Sequence, residues 1–389
     1  VGFATGEAGS EMMTRHRKIT MLAALAVSLA WSAHAPASDE GPGLKDAAPP
    51  GMLLGVALGR HQTDGQDPHV EALVPRHFNS ITTENELKWE RVHPEPGRYD
   101  FGPADQAIAF AERHGLAVIG HVLLWHQQTP DWVFAGEDGK PFDRETALRR
   151  LGEHIRAVAG RYRGRITGWD VVNEAVNDDG TMRQTPWLEA IGEDYVARAF
   201  ELAHEADPEA ELYYNDYNVW MPEKRATILK LVEGLRDQGL RVDGVGAQGH
   251  WLIDDPSLAQ IEAMVTDIAG AGFQVPITEL DVDPLPRDPR MYGADLALTT
   301  QMREETNIYA DGLPPEKQRE LAERYGAIFR LFVEHRESVP RVTLWALTDA
   351  TTWLNGFPIP GRVNHPMLWD RNGEPKPAFE AVLAALRSR

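Results

Sequence analysis

Two glutamates close apolar runs in this chain. WDVVNEAV (169–176) carries Asn173 and Glu174, and ITELD (277–281) carries Glu279 and Asp281. An amide and a carboxyl at the end of a core-bound stretch can simply mean that a strand has reached solvent. Brought together, the two carboxyls have a more specific use. One protonated and one ionised carboxyl are what cleavage of a glycosidic bond requires: the acid gives its proton to the leaving oxygen, and the ionised partner attacks the anomeric carbon or activates water. Their separation selects the outcome, about 5–5.5 Å for retention and about 6.5–9.5 Å for inversion.

The neighbours suggest which carboxyl does what. Asp281 lies two residues beyond Glu279 and so on the same strand face. His250, in GVGAQGHW (244–251), can reach both from the adjacent strand. A histidine between two carboxylates orients Glu279 and favours its ionised form, which suits a nucleophile. Glu174 follows an apolar strand; aromatic walls and a nearby anion would raise its proton affinity, which suits a proton donor. Asn173 can hydrogen-bond a sugar hydroxyl next to the reacting carbon. Tryptophan is abundant, 11 in the chain, and Trp125, Trp345 and Trp353 fall on strand ends or the loops after them. Each alone is more readily a core residue, but an indole can also stack on the apolar face of a sugar. Lys88, Gln128, Gln248 and the Glu84/Asn85 pair supply donors and acceptors for a polyhydroxylated ligand. His121, His126 and His250 raise a zinc reading, but the chain has no HExxH motif and no cysteine, and its Glu and Gln richness suits sugars better.

These residues need elements to hold them. Short apolar runs alternate with longer amphipathic ones, the signature of βα units and a parallel sheet. The runs are 52–58, 79–85, 117–125, 166–174, 211–218, 244–251, 275–281 and 342–349. Between them, 105–115, 147–162 and 225–239 have apolar residues three and four apart, as one buried helix face requires. Eight such units predict a closed (β/α)8 barrel, with the polar strand ends gathered at one mouth where barrel chemistry is done. A doubly wound open sheet is the alternative. It would normally show a glycine-rich phosphate turn after the first strand, and GRHQTDGQ (59–66) is not one. The longest gap, 282–315, reads as an enlarged loop on the active face.

Composition sets the frame. The 389 residues, 42% hydrophobic and 25% charged, are enough for one large barrel. Without cysteine there can be no disulfide, thiolate metal site or cysteine nucleophile. A net charge of -20 argues against nucleic acid or an anionic membrane as partner, while a neutral polymer is indifferent to it. Basic residues before an apolar stretch at 21–31, then SAHAPAS, read as a secretory signal. Cleavage is expected after Ala37, with residues 38–50 a flexible lead-in and 51–389 the catalytic domain.

Taken together, FNSITTENELKWE (78–90), GHVLLWHQQTPDW (120–132), WDVVNEAV, LYYNDYN (212–218), GVGAQGHW, ITELDV (277–282), WALTDATTWL (345–354) and WDRNGEPKPAF (369–379) resemble glycoside hydrolase family 10, over about 51–385. The family's main activity is endo-β-1,4-xylanase, its fold a (β/α)8 barrel and its stereochemistry retaining. The resemblance implies Glu174 as acid/base and Glu279 as nucleophile, supported by His250 and Asp281. It implies Glu84, Asn85 and Lys88 at the second sugar on the non-reducing side. His121, Trp125, Gln128, Asn173, Gln248, Trp345 and Trp353 would surround or adjoin the cleaved sugar, and Tyr217 would face the leaving group. No cofactor or metal is implied; the expected partners are xylan and xylo-oligosaccharides, and the expected state is a secreted monomer. Two departures stand out. Leu354 replaces a common arginine, and Trp345-Ala346-Leu347 replaces W-G-V; both are expected at the cleft rim. The alternatives are another retaining β-glycanase barrel, or a sugar-binding barrel without catalysis.

Overall fold

The computed structural model describes residues 41–136, 139–287 and 306–388. The segment read as a secretory signal and most of the 282–315 loop lie outside these residues.

All eight apolar runs form parallel strands: β1 (Leu53–Leu58), β2 (Ser80–Thr83), β3 (Ala117–Leu124), β4 (Gly168–Asn173), β5 (Glu211–Asp216), β6 (Gly244–Ala247), β7 (His250–Leu252), β8 (Ile277–Asp283) and β9 (Arg341–Leu344). The order is β6-β5-β4-β3-β2-β1-β9-β8-β7, and β6 also pairs with β8, which closes the ring. The ninth label arises because the run expected over 244–251 is two strands on one rung of the barrel. Gly249 breaks it, with φ +84°. A Cβ there would meet Ile277 at 3.1 Å, so the kink requires glycine. Beyond the kink, β7 pairs His250 with Asp281 in register on β8. The runs 79–85 and 342–349 are shorter as strands than expected, because their polar ends leave the ladder to enter loops.

Helices cover the outside. Arg144–Arg161 is capped by Asp143, whose carboxylate accepts from the Thr146 amide at 2.8 Å. It buries Leu151, Ile155 and Val158 at helical spacing, each contributing about 1.5–3 kcal/mol by removal from water. Pro222–Asp237 and Gly102–His114 do the same for the other two segments read as helical. Within the stretch expected as a lead-in, Leu44–Ala47 form a helical turn, and Leu44 is buried in the core. The packed body therefore begins ahead of residue 51.

The strands bearing the two glutamates are irregular. Pairing of β4 with β5 shifts register between Asp170 and Val172, and pairing of β8 with β9 shifts between Ile277 and Leu280. Such irregularities bend a strand and re-aim the side chains that follow.

Candidate active site

At the end of β4 the backbone leaves the sheet, and Glu174 takes a left-handed conformation, φ +60°. For a residue with a Cβ this costs on the order of 1–3 kcal/mol, and it persists only where surrounding bonds over-determine it. The side chain is buried and fully engaged. Glu174 Oε2 accepts from the Trp125 indole at 2.9 Å. Glu174 Oε1 accepts from Gln248 Nε2 at 2.9 Å and from Asn173 Nδ2 at 3.1 Å.

Glu279 is held by different groups. His250 Nε2 lies 3.2 Å from Glu279 Oε2, and His250 Nδ1 lies 2.9 Å from Asp281 Oδ2. The in-register pairing across β7 and β8 sets this arrangement. The Trp353 indole donates to the same Asp281 oxygen at 2.7 Å. On its other oxygen Glu279 accepts from Asn215 Nδ2 at 2.9 Å. Asn215 is the bridge between the two carboxyls. Its Nδ2 also lies 2.9 Å from Asn173 Oδ1, and its own oxygen accepts from Thr278 Oγ1 at 2.7 Å. A chain of amides thus joins Glu174 to Glu279.

Burial opposes ionisation of both glutamates, and the neighbours decide the result. For Glu174, burial and then the Asp216 carboxylate, with a smaller push from Glu279, outweigh the bonds from Gln248 and Trp125 and raise its pKa to about 7. For Glu279, burial is overcome by the His250 hydrogen bond, the nearby His121 and the Asn215 amide, so it is held below the usual carboxylate value. His250 is itself disfavoured as a cation by burial, but Asp281 and Glu279 raise its pKa to about 9. At neutral pH it therefore donates from both nitrogens.

The remaining residues read from sequence surround this pair with two exceptions. Lys88 is buried, bonds Asn85 Oδ1 at 3.1 Å and lies 5.1 Å from the Trp125 ring centroid. Burial lowers its pKa, against the opposing fields of Glu279, Glu84 and Glu174. Burial also raises the pKa of Glu84, partly offset by Lys88. Glu84 and Asn85 line an open groove of about 650 Å³ with Gln62, Glu90, Arg91 and Arg98. His121 bonds Asp170 at 2.9 Å and stands edge-on to Trp345, ring centroids 5.3 Å apart. The Tyr217 hydroxyl accepts from Arg183 Nη2 at 2.6 Å, and the Lys224 ammonium sits 3.7 Å from its ring centroid. The first exception is Gln128, whose amide turns to Glu90 Oε1 at 3.2 Å and so supports the groove wall. The second is Leu354. It is buried, as are Ala346 and Leu347, so the departures expected at the rim do not face solvent.

Sequence reasoning passed over five contributors. Asn215 and Asp216 were visible as polar ends of β5, but their roles as bridge and as field source were not. Asp170 is a carboxyl inside a buried strand, itself a signal. Arg183 and Lys224 come from a loop and a helix start, where nothing in the local pattern marks them. Among the described residues no group of three or more His, Asp or Glu is placed to hold a metal ion.

A closed parallel barrel whose mouth holds one carboxyl that keeps its proton and one that does not, joined by amides and walled by indoles, defines a barrel glycosidase. Comparison with known proteins specifies which. The Glycosyl hydrolase family 10 model matches residues 43–385, and the chain belongs to that family. It is 41% identical over 342 residues to endo-1,4-beta-xylanase A of Xylanibacter ruminicola, covering 88% of this chain and 93% of that protein. It is 41% identical to a beta-1,4-xylanase of Dictyoglomus thermophilum, covering 81% and 84%. Among solved structures, a family 10 endoxylanase from a sugarcane soil metagenome superposes with TM-score 0.84 at 41% identity, covering 89% of this chain and all of that one.

Proposed function

We infer that the protein is an endo-β-1,4-xylanase that hydrolyses internal bonds of xylan with retention of configuration. The observation that carries this is the opposite protonation of two glutamates tied into one amide chain, in a chain similar over most of its length to proteins named as xylanases. In the first step Glu279 attacks the anomeric carbon, the glycosidic C–O bond breaks, and Glu174 passes its proton to the departing oxygen. A glycosyl ester on Glu279 results. In the second step Glu174, now ionised, takes a proton from water; the water oxygen attacks the anomeric carbon, and Glu279 leaves as carboxylate. His250, donating to both Glu279 and Asp281, offsets the charge of Glu279 and fixes its orientation. Asn173 is assigned to the hydroxyl next to the reacting carbon.

Glu84, Asn85 and Lys88 are assigned to the second sugar on the non-reducing side. His121, Trp125, Gln248, Trp345 and Trp353 are assigned to the cleaved sugar, Tyr217 to the leaving-group side, and Gln128 to support of the Glu90 wall. Export of the chain, with cleavage after Ala37, is supported by the basic, apolar and small-residue order of 15–37. Among the described residues no helix is long and apolar enough to cross a membrane.

The test is purified protein on xylan and on carboxymethyl-cellulose. Xylan is expected to lose viscosity before it releases much reducing sugar, at a rate far above cellulose, and proton NMR is expected to show the β-anomer first. Equal rates on the two polymers would move the substrate to mixed β-glucans. Binding without turnover would reduce the protein to a sugar-binding barrel.

A further inference from the structure

Glu174 is held in its left-handed conformation by three backbone bonds. Its N–H donates to the Asn215 carbonyl at 2.9 Å. Its carbonyl accepts from Arg183 Nε at 3.0 Å. The next amide, Ala175 N–H, donates to the Tyr214 hydroxyl at 3.0 Å. The third bond depends on a side chain whose own state is set deeper in the barrel wall. The Tyr214 hydroxyl donates to Asp216 Oδ2 at 2.5 Å. Asp216 Oδ1 accepts from Lys224 Nζ at 2.8 Å and from the Tyr217 amide at 2.9 Å. Tyr214, Asp216 and Lys224 are all fully buried.

The chemistry of this chain is directional. A phenol has one proton and an ionised carboxylate only accepts. Burial raises the proton affinity of Asp216 and Lys224 opposes it; with the ammonium and the Tyr217 amide both donating to Oδ1, Oδ2 is left to accept the Tyr214 proton. That leaves an oxygen lone pair facing Ala175 N–H. An amide at 216 could donate to the same phenol oxygen and compete with Ala175. Loss of the phenol oxygen would free the peptide that follows the strained residue, and Glu174 could relax out of the left-handed region and swing its carboxyl.

We propose that Tyr214 and Asp216 are positioning residues for Glu174: the buried carboxylate orients the phenol, the phenol holds the Ala175 amide, and the held peptide keeps the Glu174 carboxyl aimed at the leaving oxygen. The proposal rests on Glu174 being the proton donor. A buried polar cluster of purely structural importance would weaken every reaction of the enzyme together. A positioning device for proton donation weakens only reactions that need the proton.

The experiment compares Tyr214→Phe, Asp216→Asn and the reference Glu174→Ala on xylan and on dinitrophenyl β-xylobioside, whose leaving group departs without a proton. On xylan, Tyr214→Phe is expected to lower kcat about 10- to 100-fold, the scale of a misplaced catalytic group, with KM within about twofold of the parent. On the dinitrophenyl substrate, kcat/KM is expected to stay near the parent value, which also shows that the variant is folded. Asp216→Asn, assayed near pH 5 so that loss of the Asp216 field does not by itself strip the proton from Glu174, is expected to show the same split, and it carries the test if Tyr214→Phe does not fold. Equal losses on both substrates, or no loss on either, would overturn the relay while Glu174→Ala still shows the split. If Glu174→Ala itself shows no dependence on leaving group, the proton-donor reading falls and the relay falls with it.

Discussion

Glu174 and Glu279 are buried to nearly the same depth, 2% and 5% exposed, yet their surroundings drive their protons in opposite directions. The Glu174 end of the mouth is furnished with neutral donors, Trp125, Gln248 and Asn173, and faces the Asp216 carboxylate. The Glu279 end has a histidine that Asp281 keeps charged, with His121 beyond it. Depth alone would have protonated both. The difference lies in which charge each strand neighbour brings, and it converts two identical side chains into an acid and a nucleophile.

That contrast can be broken from either end. The largest effect is expected from Glu279→Gln, which leaves no nucleophile. Activity on xylan should fall about ten-thousandfold or more, while circular dichroism remains that of the parent. Glu174→Ala should lower kcat/KM on xylan by about 100- to 10,000-fold, the usual contribution of a positioned acid, and leave the dinitrophenyl xylobioside nearly untouched. Equal losses of kcat/KM on the two substrates would show that Glu174 does more in the first step than donate a proton.

The smallest change sharpens the contrast. Asp281→Asn removes the anion that sustains the His250 cation, so burial pulls the pKa of His250 down. Glu279 then loses a charged donor, and its pKa rises. Because Glu279 must be ionised to attack, the acidic limb of kcat/KM against pH should move upward, by about one unit or a tenfold loss on that limb. The basic limb, near pH 7 and set by the proton that Glu174 must keep, should stay where it is. A shift of the basic limb instead would assign His250 and Asp281 to the wrong glutamate.

Much of this was legible in the residues. Apolar runs of strand length separated by amphipathic stretches announced the barrel, because a parallel strand buried on both faces has no other way to read. Glu279 and Asp281 share a strand face by alternation, so the reach of His250 to both followed directly. What escaped notice depends on closure. Asn215 can join the two carboxyls only once β4, β5, β6 and β8 stand in that order around the ring, and Arg183 and Lys224 reach the mouth from a loop and from the first turn of a helix. Gly249 hid its kink inside an apparently continuous run, since a glycine there reads equally as strand or break. Leu354 was placed at the rim by comparison with an arginine; its own hydrophobicity pointed inward.

The central claim is that, of two carboxyls in one mouth, Glu174 holds its proton near neutrality and Glu279 does not. Carbon-13 NMR of the side-chain carboxyls across a pH titration, with Glu174→Gln and Glu279→Gln for assignment, reads this directly. The expected result is a glutamate carboxyl titrating near pH 7 that disappears in Glu174→Gln, with the Glu279 signal already ionised below the usual carboxylate range. A near-neutral titration that survives in Glu174→Gln and vanishes in Glu279→Gln would contradict the account.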